Sequence, residues 1–266
     1  MRRFKFASVA AALSLIAMLV HAAPSHAEST LQTVKTRGTM IAGVRFDSPP
    51  YGSVDSNGKN VGIDIDVAGE IAKRLGVKLE LVRVTGQSRI PTLNSGKIDL
   101  LVADLTHTRE REKAIDYTMT YVEDGVGIMV RKGSDIKTAA NLNGKAVSFV
   151  QGSTADAALR KAAPEAKITM YQEYPQAFLA FQQGLTDAFL SDALILDQFA
   201  KTDPGKFEVL SPYLVPEPIA IGLRKNDSDW RNALDSILQD MVVDGTWQRI
   251  IKKYVTLPMQ APKVFP

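Results

Sequence analysis

The chain has 266 residues, 45% hydrophobic and 23% charged, with a formal net charge of +3 and no cysteine. Three of its 32 basic residues, Arg2, Arg3 and Lys5, lie in the first 27 positions without an acidic partner, and the remainder balance the 29 acids, so no basic tract argues for nucleic acid. The lack of cysteine excludes disulfides, thiol catalysis, cysteine metal sites and a lipid-bearing cysteine.

The first element is a leader. Basic residues precede an apolar run from Phe6 to Val20, and Ala23-Pro24-Ser25-His26-Ala27 closes it with small residues. This is the pattern of a secretory signal peptide over 1–27, cut near Ala27, and the run is short for a membrane span. The expected product is exported to the periplasm with no membrane insertion. His21 and His26 leave with the leader, so His107 is the only histidine beyond it. One histidine supports neither a multi-histidine metal site nor a triad elsewhere in the chain, and no cofactor or metal is expected.

From residue 28 onward, short apolar runs alternate with amphipathic stretches, which predicts an α/β fold with a mostly parallel sheet flanked by helices. Strands are expected at 40–44, 78–84, 98–102, 127–130, 146–150, 168–171, 188–190 and 219–223. The clearest helix carries Val67, Ile71 and Leu75 at a spacing of four, with Asp64 or Asp66 as N-cap and Gly76 past its end. Further helices are expected at 88–94, 154–161, 175–183, 192–200 and 229–243. Asp55-Ser56-Asn57-Gly58 reads as a hairpin tip and Asp203-Pro204-Gly205 as a tight turn. With no long linker, any passage between two lobes must be short, at 123–125 and 211–218.

The chemistry gathers where strand 98–102 runs out into Ala103-Asp104-Leu105-Thr106-His107-Thr108-Arg109-Glu110-Arg111. A guanidinium offers a carboxylate two parallel hydrogen bonds, and neighbouring hydroxyls satisfy the remaining oxygens. These residues suit a ligand carboxylate.

Several runs, in order, carry a resemblance. Val61-Gly62-Ile63-Asp64-Ile65-Asp66-Val67-Ala68-Gly69-Glu70-Ile71-Ala72 is followed by Arg89-Ile90-Pro91-Thr92-Leu93 with Ser95-Gly96-Lys97-Ile98-Asp99. Next come Thr108-Arg109-Glu110-Arg111 with Asp116-Tyr117, Val150-Gln151-Gly152-Ser153-Thr154, and Gly184-Leu185-Thr186-Asp187-Ala188 leading to Ser191-Asp192. Together they resemble the polar amino-acid family of periplasmic solute-binding proteins, the receptors of ABC importers. The resemblance implies a type II periplasmic-binding-protein fold: one lobe from 28–124 with 217–266, a second from 125–216, and an amino acid held between them. It also implies a membrane permease as partner and a monomeric receptor.

By that resemblance Arg111 clamps the ligand α-carboxylate, Thr106 hydrogen-bonds the ligand, and Asp192 receives the α-ammonium, where a buried cation needs a counter-charge. Asp192 could instead only cap the helix that follows, or do both. Gly152-Ser153-Thr154 matches a turn whose N–H groups and helix end favour a carboxylate. Arg109 is expected as a solvated charge. Arg45 and Arg89 stand where receptors for glutamate and aspartate resemble this chain, which makes an acidic ligand the first expectation. Ser48 takes the place of a stacking aromatic, a contact that is either missing or supplied by Tyr51 or Phe46.

Asp104 replaces a small residue. It either adds an acceptor for the ammonium or cancels part of the charge of Arg45 or Arg89, and in the second case glutamine or asparagine becomes the better ligand. Basic amino acids and opines complete the range. Cyclohexadienyl dehydratases resemble these receptors but usually alter the glycine turn; Gly152-Ser153-Thr154 together with Asp192 is the receptor pattern, so no enzyme activity is expected.

Overall fold

A computed structural model describes residues 29–264; the leader and its cleavage point lie outside them. Helix Thr30–Arg37 (α1) leads into strand Thr39–Val44 (β1), where Met40, Ala42 and Val44 alternate into the core. Asp47–Ser48 (β2), Gly52–Val54 (β3) and Asn60–Val61 (β4) form a small antiparallel sheet. Its tip is the expected turn: the Asp55 carboxylate accepts the N–H groups of Asn57 and Lys59, each at 2.9 Å.

Helix Ile63–Leu75 (α2) buries Val67 and Ile71 on one face. Gly62 occupies the N-cap position, so Asp64 and Asp66 lie inside the first turn instead of capping it, near the positive end of the helix. Gly76 ends the helix in the left-handed conformation, as expected. Strand Lys78–Arg83 (β5), helix Arg89–Asn94 (α3) and strand Leu100–Leu101 (β6) follow, with β5 and β6 pairing parallel on either side of β1.

The next strand, Asp116–Arg131 (β7), is 16 residues long. The expectation of a strand only at 127–130 fell short, because pairing with β12 carries the expected crossing, Glu123, Asp124 and Gly125, as extended chain within the same strand. The second half of the fold comprises Ala146–Val150 (β8), Ala155–Ala162 (α4), Lys167–Tyr171 (β9), Tyr174–Gln182 (α5), Ala188–Asp192 (β10), Ala193–Ala200 (α6) and Phe207–Val209 (β11). Strand Pro216–Leu223 (β12) returns, and helices Ser228–Val243 (α7) and Thr246–Tyr254 (α8) finish the fold. The small sheet, α1, α8 and β11 were not among the expected elements.

Strand order is β5-β1-β6-β12-β7-β10-β8-β9, with β11 also on β7. The first part of β7 pairs with β12, and its last part with β10 and β11. The structure is therefore two-lobed, with one strand shared by both sheets. Trp230 and Trp247 fasten α7 and α8, their indole N–H groups donating to the carbonyls of Asp99 (3.1 Å) and Tyr121 (2.7 Å). In the second lobe Phe178 packs against Phe181, Phe189, Phe199 and Phe207.

Candidate functional site

The ends of β1 and β6 open toward the second lobe and bring three arginines together. Arg89, at the start of α3, is 3% exposed and donates through Nη1 to the carbonyls of Ala103 (2.8 Å) and Asp104 (2.7 Å). Arg111 donates to the Thr106 carbonyl at 2.8 Å and, across the cleft, to the Gly152 carbonyl at 2.9 Å. Arg89 reaches the same Gly152 oxygen at 3.4 Å. The Gly152 turn thus faces both guanidiniums.

Asp104 sits at φ +51°, a left-handed conformation that aspartate tolerates better than most residues. The loop is held in place by Asp64, which accepts the Asp104 N–H at 2.7 Å and the Tyr121 hydroxyl at 2.6 Å. The Asp104 side chain is buried and accepts the Tyr174 hydroxyl at 3.2 Å from the second lobe. Its other oxygen has no partner.

Asp192 lies at the N-cap position of α6 without bonding to the helix. That task falls to Asp124, whose carboxylate accepts the N–H groups of Ala193 (3.1 Å) and Leu194 (3.3 Å) and the Tyr51 hydroxyl at 2.8 Å. Asp192 is therefore free of the capping role. Glu217, fully buried on β12 between Pro216 and Pro218, accepts the Thr106 hydroxyl at 3.0 Å and also that of Thr154.

One oxygen each of Asp104, Asp192 and Glu217 is buried without a partner. Burial raises the Asp192 carboxyl well above the usual range, and the charges of Asp104, Glu217 and Asp124 push it further. Burial also raises Asp104, against the pull of Arg45 and Arg89, and raises Glu217. Arg89 moves the other way, down to about 10, through burial and then the charges of Arg111 and Arg45. Unpaired buried acceptors that resist ionisation are where a ligand ammonium, with three donors, gains most.

Arg45 is placed differently from its neighbours. It is 2% exposed, and its Nε–Nη2 edge is taken by Asp47 at 3.0 and 2.6 Å. Its guanidinium carbon lies 4.6 Å from the centroid of Tyr174. Burial works against its charge, but Tyr174, Asp47 and Asp104 outweigh burial and hold its pKa above the ordinary arginine value.

Ser48 and Ser153 are buried or nearly so, with hydroxyls lacking partners. Tyr51 is wholly buried against Asp124, and Phe46 packs on the core. The aromatic ring standing between the lobes is Tyr174, which the sequence reading did not single out. Asp47, Asp124 and Glu217 were missed as well; only Glu217 left a trace, as an acid between two prolines ahead of an apolar strand. His107 stacks on Tyr117 with ring centroids 4.2 Å apart and bonds Glu112 at 2.7 Å. Arg109 is exposed. Among the described residues no group of histidine, aspartate and glutamate is arranged to hold a metal, and no helix is long and apolar enough to cross a membrane.

Two α/β lobes on a shared strand, with buried guanidiniums and carboxyls between them, define a two-lobed solute-binding fold. The model of the bacterial extracellular solute-binding proteins, family 3, matches residues 40–257, and the chain belongs to that family. This is the family to which the sequence motifs pointed. The ABC transporter glutamine-binding protein GlnH of Bacillus subtilis is 35% identical over 234 residues, covering 86% of this chain and 85% of its own. The glutamate/aspartate import solute-binding protein of Escherichia coli is 29% identical over 273 residues, covering 97% and 90%. Among solved structures, the ancestral amino acid-binding protein AncCDT-1, a precursor of cyclohexadienyl dehydratase, matches with a TM-score of 0.81 at 33% identity, covering 85% of this chain and 99% of its own.

Proposed function

We propose that this chain is the receptor of an amino-acid ABC importer and that it binds a polar L-α-amino acid with an uncharged side chain, glutamine first. The ligand α-carboxylate would meet Arg111 and the Gly152-Ser153-Thr154 turn, and its ammonium the oxygens of Asp192, Asp104 and Glu217. Thr106 would orient Glu217. The observation that carries this reading is the Arg45–Asp47 pair. It uses up one of the two guanidiniums on which the expectation of glutamate or aspartate rested, and the similarity to GlnH at 35% identity points the same way. Arg89, with its Nε unpartnered, is the remaining support for an acidic ligand.

In this reading the protein is exported through the leader at 1–27, acts in the periplasm as a monomer, closes on its ligand and delivers it to a membrane permease. Closure is favoured because the ligand gains its full set of partners only when both lobes reach it. It makes and breaks no covalent bond. The test is a thermal-shift screen of residues 28–266, refolded to remove carried-over ligand, against the twenty amino acids and several opines. Anything that binds only the folded state raises the melting temperature. A shift led by glutamine supports the reading; one led by glutamate or aspartate restores the acidic ligand. Formation of product from prephenate or arogenate would make the protein an enzyme.

A further inference from the structure

Asp47 belongs to none of the motifs, yet it makes three contacts at the cleft. It takes both hydrogen bonds along the Nε–Nη2 edge of Arg45. It also accepts the Tyr174 backbone N–H at 3.2 Å from the opposite lobe. Arg45 follows the end of β1 and Asp47 opens β2, so the ion pair spans the connection between the two strands. They are 2% and 8% exposed, out of reach of solvent screening.

A guanidinium binds a carboxylate best along one planar edge, through two parallel N–H bonds. Asp47 occupies that edge. Tyr174 covers the face of the group, and the Nη1 end points toward Gly86, where an added Cβ would lie 3.3 Å away. A ligand carboxylate would have to displace Asp47 to obtain the same geometry, and the displaced aspartate would be left buried without its cation. A neutral amide demands no such exchange.

We propose that Asp47 is a specificity-determining residue: by sequestering Arg45 it makes the cleft select an uncharged side chain over the corresponding acid. This rests on the reading of the protein as an amino-acid receptor. Without the Asp47 charge, Arg45 becomes a buried cation stripped of its hydrogen-bonded counter-ion, which is costly. A ligand side-chain carboxylate then supplies what is missing.

The experiment is calorimetric titration of the parent chain, Asp47→Asn, Arg45→Met and the double variant with glutamine, glutamate, asparagine and aspartate. Asparagine keeps the shape of the aspartate and can still accept the Tyr174 N–H, and circular dichroism and melting verify that each variant is folded. The expected result is that Asp47→Asn shifts the acid-to-amide affinity ratio at least tenfold toward the acid, and that adding Arg45→Met abolishes the shift. An unchanged ratio in folded Asp47→Asn, or a shift that survives Arg45→Met, overturns the proposal alone. Failure of the parent chain to bind any of the twenty amino acids overturns the receptor reading, and this proposal with it.

Discussion

Gly86 and Gly152 meet backbone to backbone across the cleft. A Cβ at Gly152 would lie 2.6 Å from the Gly86 carbonyl oxygen, and one at Gly86 would lie 2.3 Å from the Gln151 carbonyl oxygen. Neither neighbour is the movable end of a side chain. The seam closes only because both positions lack a side chain, and Gly152 also holds φ at +76°.

Gly152→Ala should therefore impair binding more than folding. The left-handed backbone costs the fold roughly 1 kcal/mol, whereas the clash arises only where the lobes touch. Ligand affinity is expected to fall by at least about tenfold, ~1.4 kcal/mol. Titration set beside a thermal melt separates the two effects, and an affinity loss no larger than the stability loss would count against the seam.

Arg111→Ala removes the group assigned to the α-carboxylate, which every amino acid carries. All ligands should weaken together, by about 2 to 5 kcal/mol for a lost charged partner in a buried site. A change in ligand ranking, or unaltered affinity, would remove Arg111 from that role.

Asp192→Asn should act in opposite directions on stability and binding. In the parent chain Asp192 is buried among Asp104, Glu217 and Asp124, and its ionisation is disfavoured. Replacing the acid with an amide relieves that repulsion, so the ligand-free melting temperature should rise. Binding should weaken by about 2 to 5 kcal/mol, because the ammonium loses its charged acceptor. Paired melting and titration experiments check both signs.

Asp64 gives the protein a pH signature. Burial, opposed by the Tyr121 hydroxyl, pushes its carboxyl up to about 7. The fold then prefers the protonated form more strongly than the unfolded chain does. Its contribution is fully present below the unfolded value near 3.8 and is lost as pH rises toward 7. Asp64→Asn has no proton to lose, so its stability should decline less than that of the parent between pH 4 and pH 7 in denaturant melts. Parallel curves for the two proteins would refute this assignment.

The sequence revealed elements whose apolar residues keep a simple period, such as α2 with Val67, Ile71 and Leu75, and β1 with Met40, Ala42 and Val44. It hid elements whose residues contradict their local propensity. Glu123-Asp124-Gly125 reads only as a short passage between lobes, and pairing with β12 makes it part of a strand. Helix α8 was not among the expected elements, although Trp247, Ile250 and Ile251 lie on one buried face. The motifs likewise pointed to Arg111, Thr106, Asp104, Asp192 and the Gly152 turn, which the fold brings to one cleft. The partners of these residues come from far along the chain: Tyr174 is 70 residues from Asp104, and Glu217 is 111 from Thr106. A side chain recruited over such a distance leaves no local pattern.

Strand β7 makes the boundary between the lobes the middle of a hydrogen-bonded ladder. No flexible tether insulates one half of the molecule from the other, so loosening either sheet frays the strand that completes its neighbour. Heating should give a single endotherm for the whole protein. A fragment truncated near Gly125 would expose an unfinished sheet edge, the kind of surface that seeds aggregation. A strand that completes both sheets should bind the two lobes into one unfolding unit.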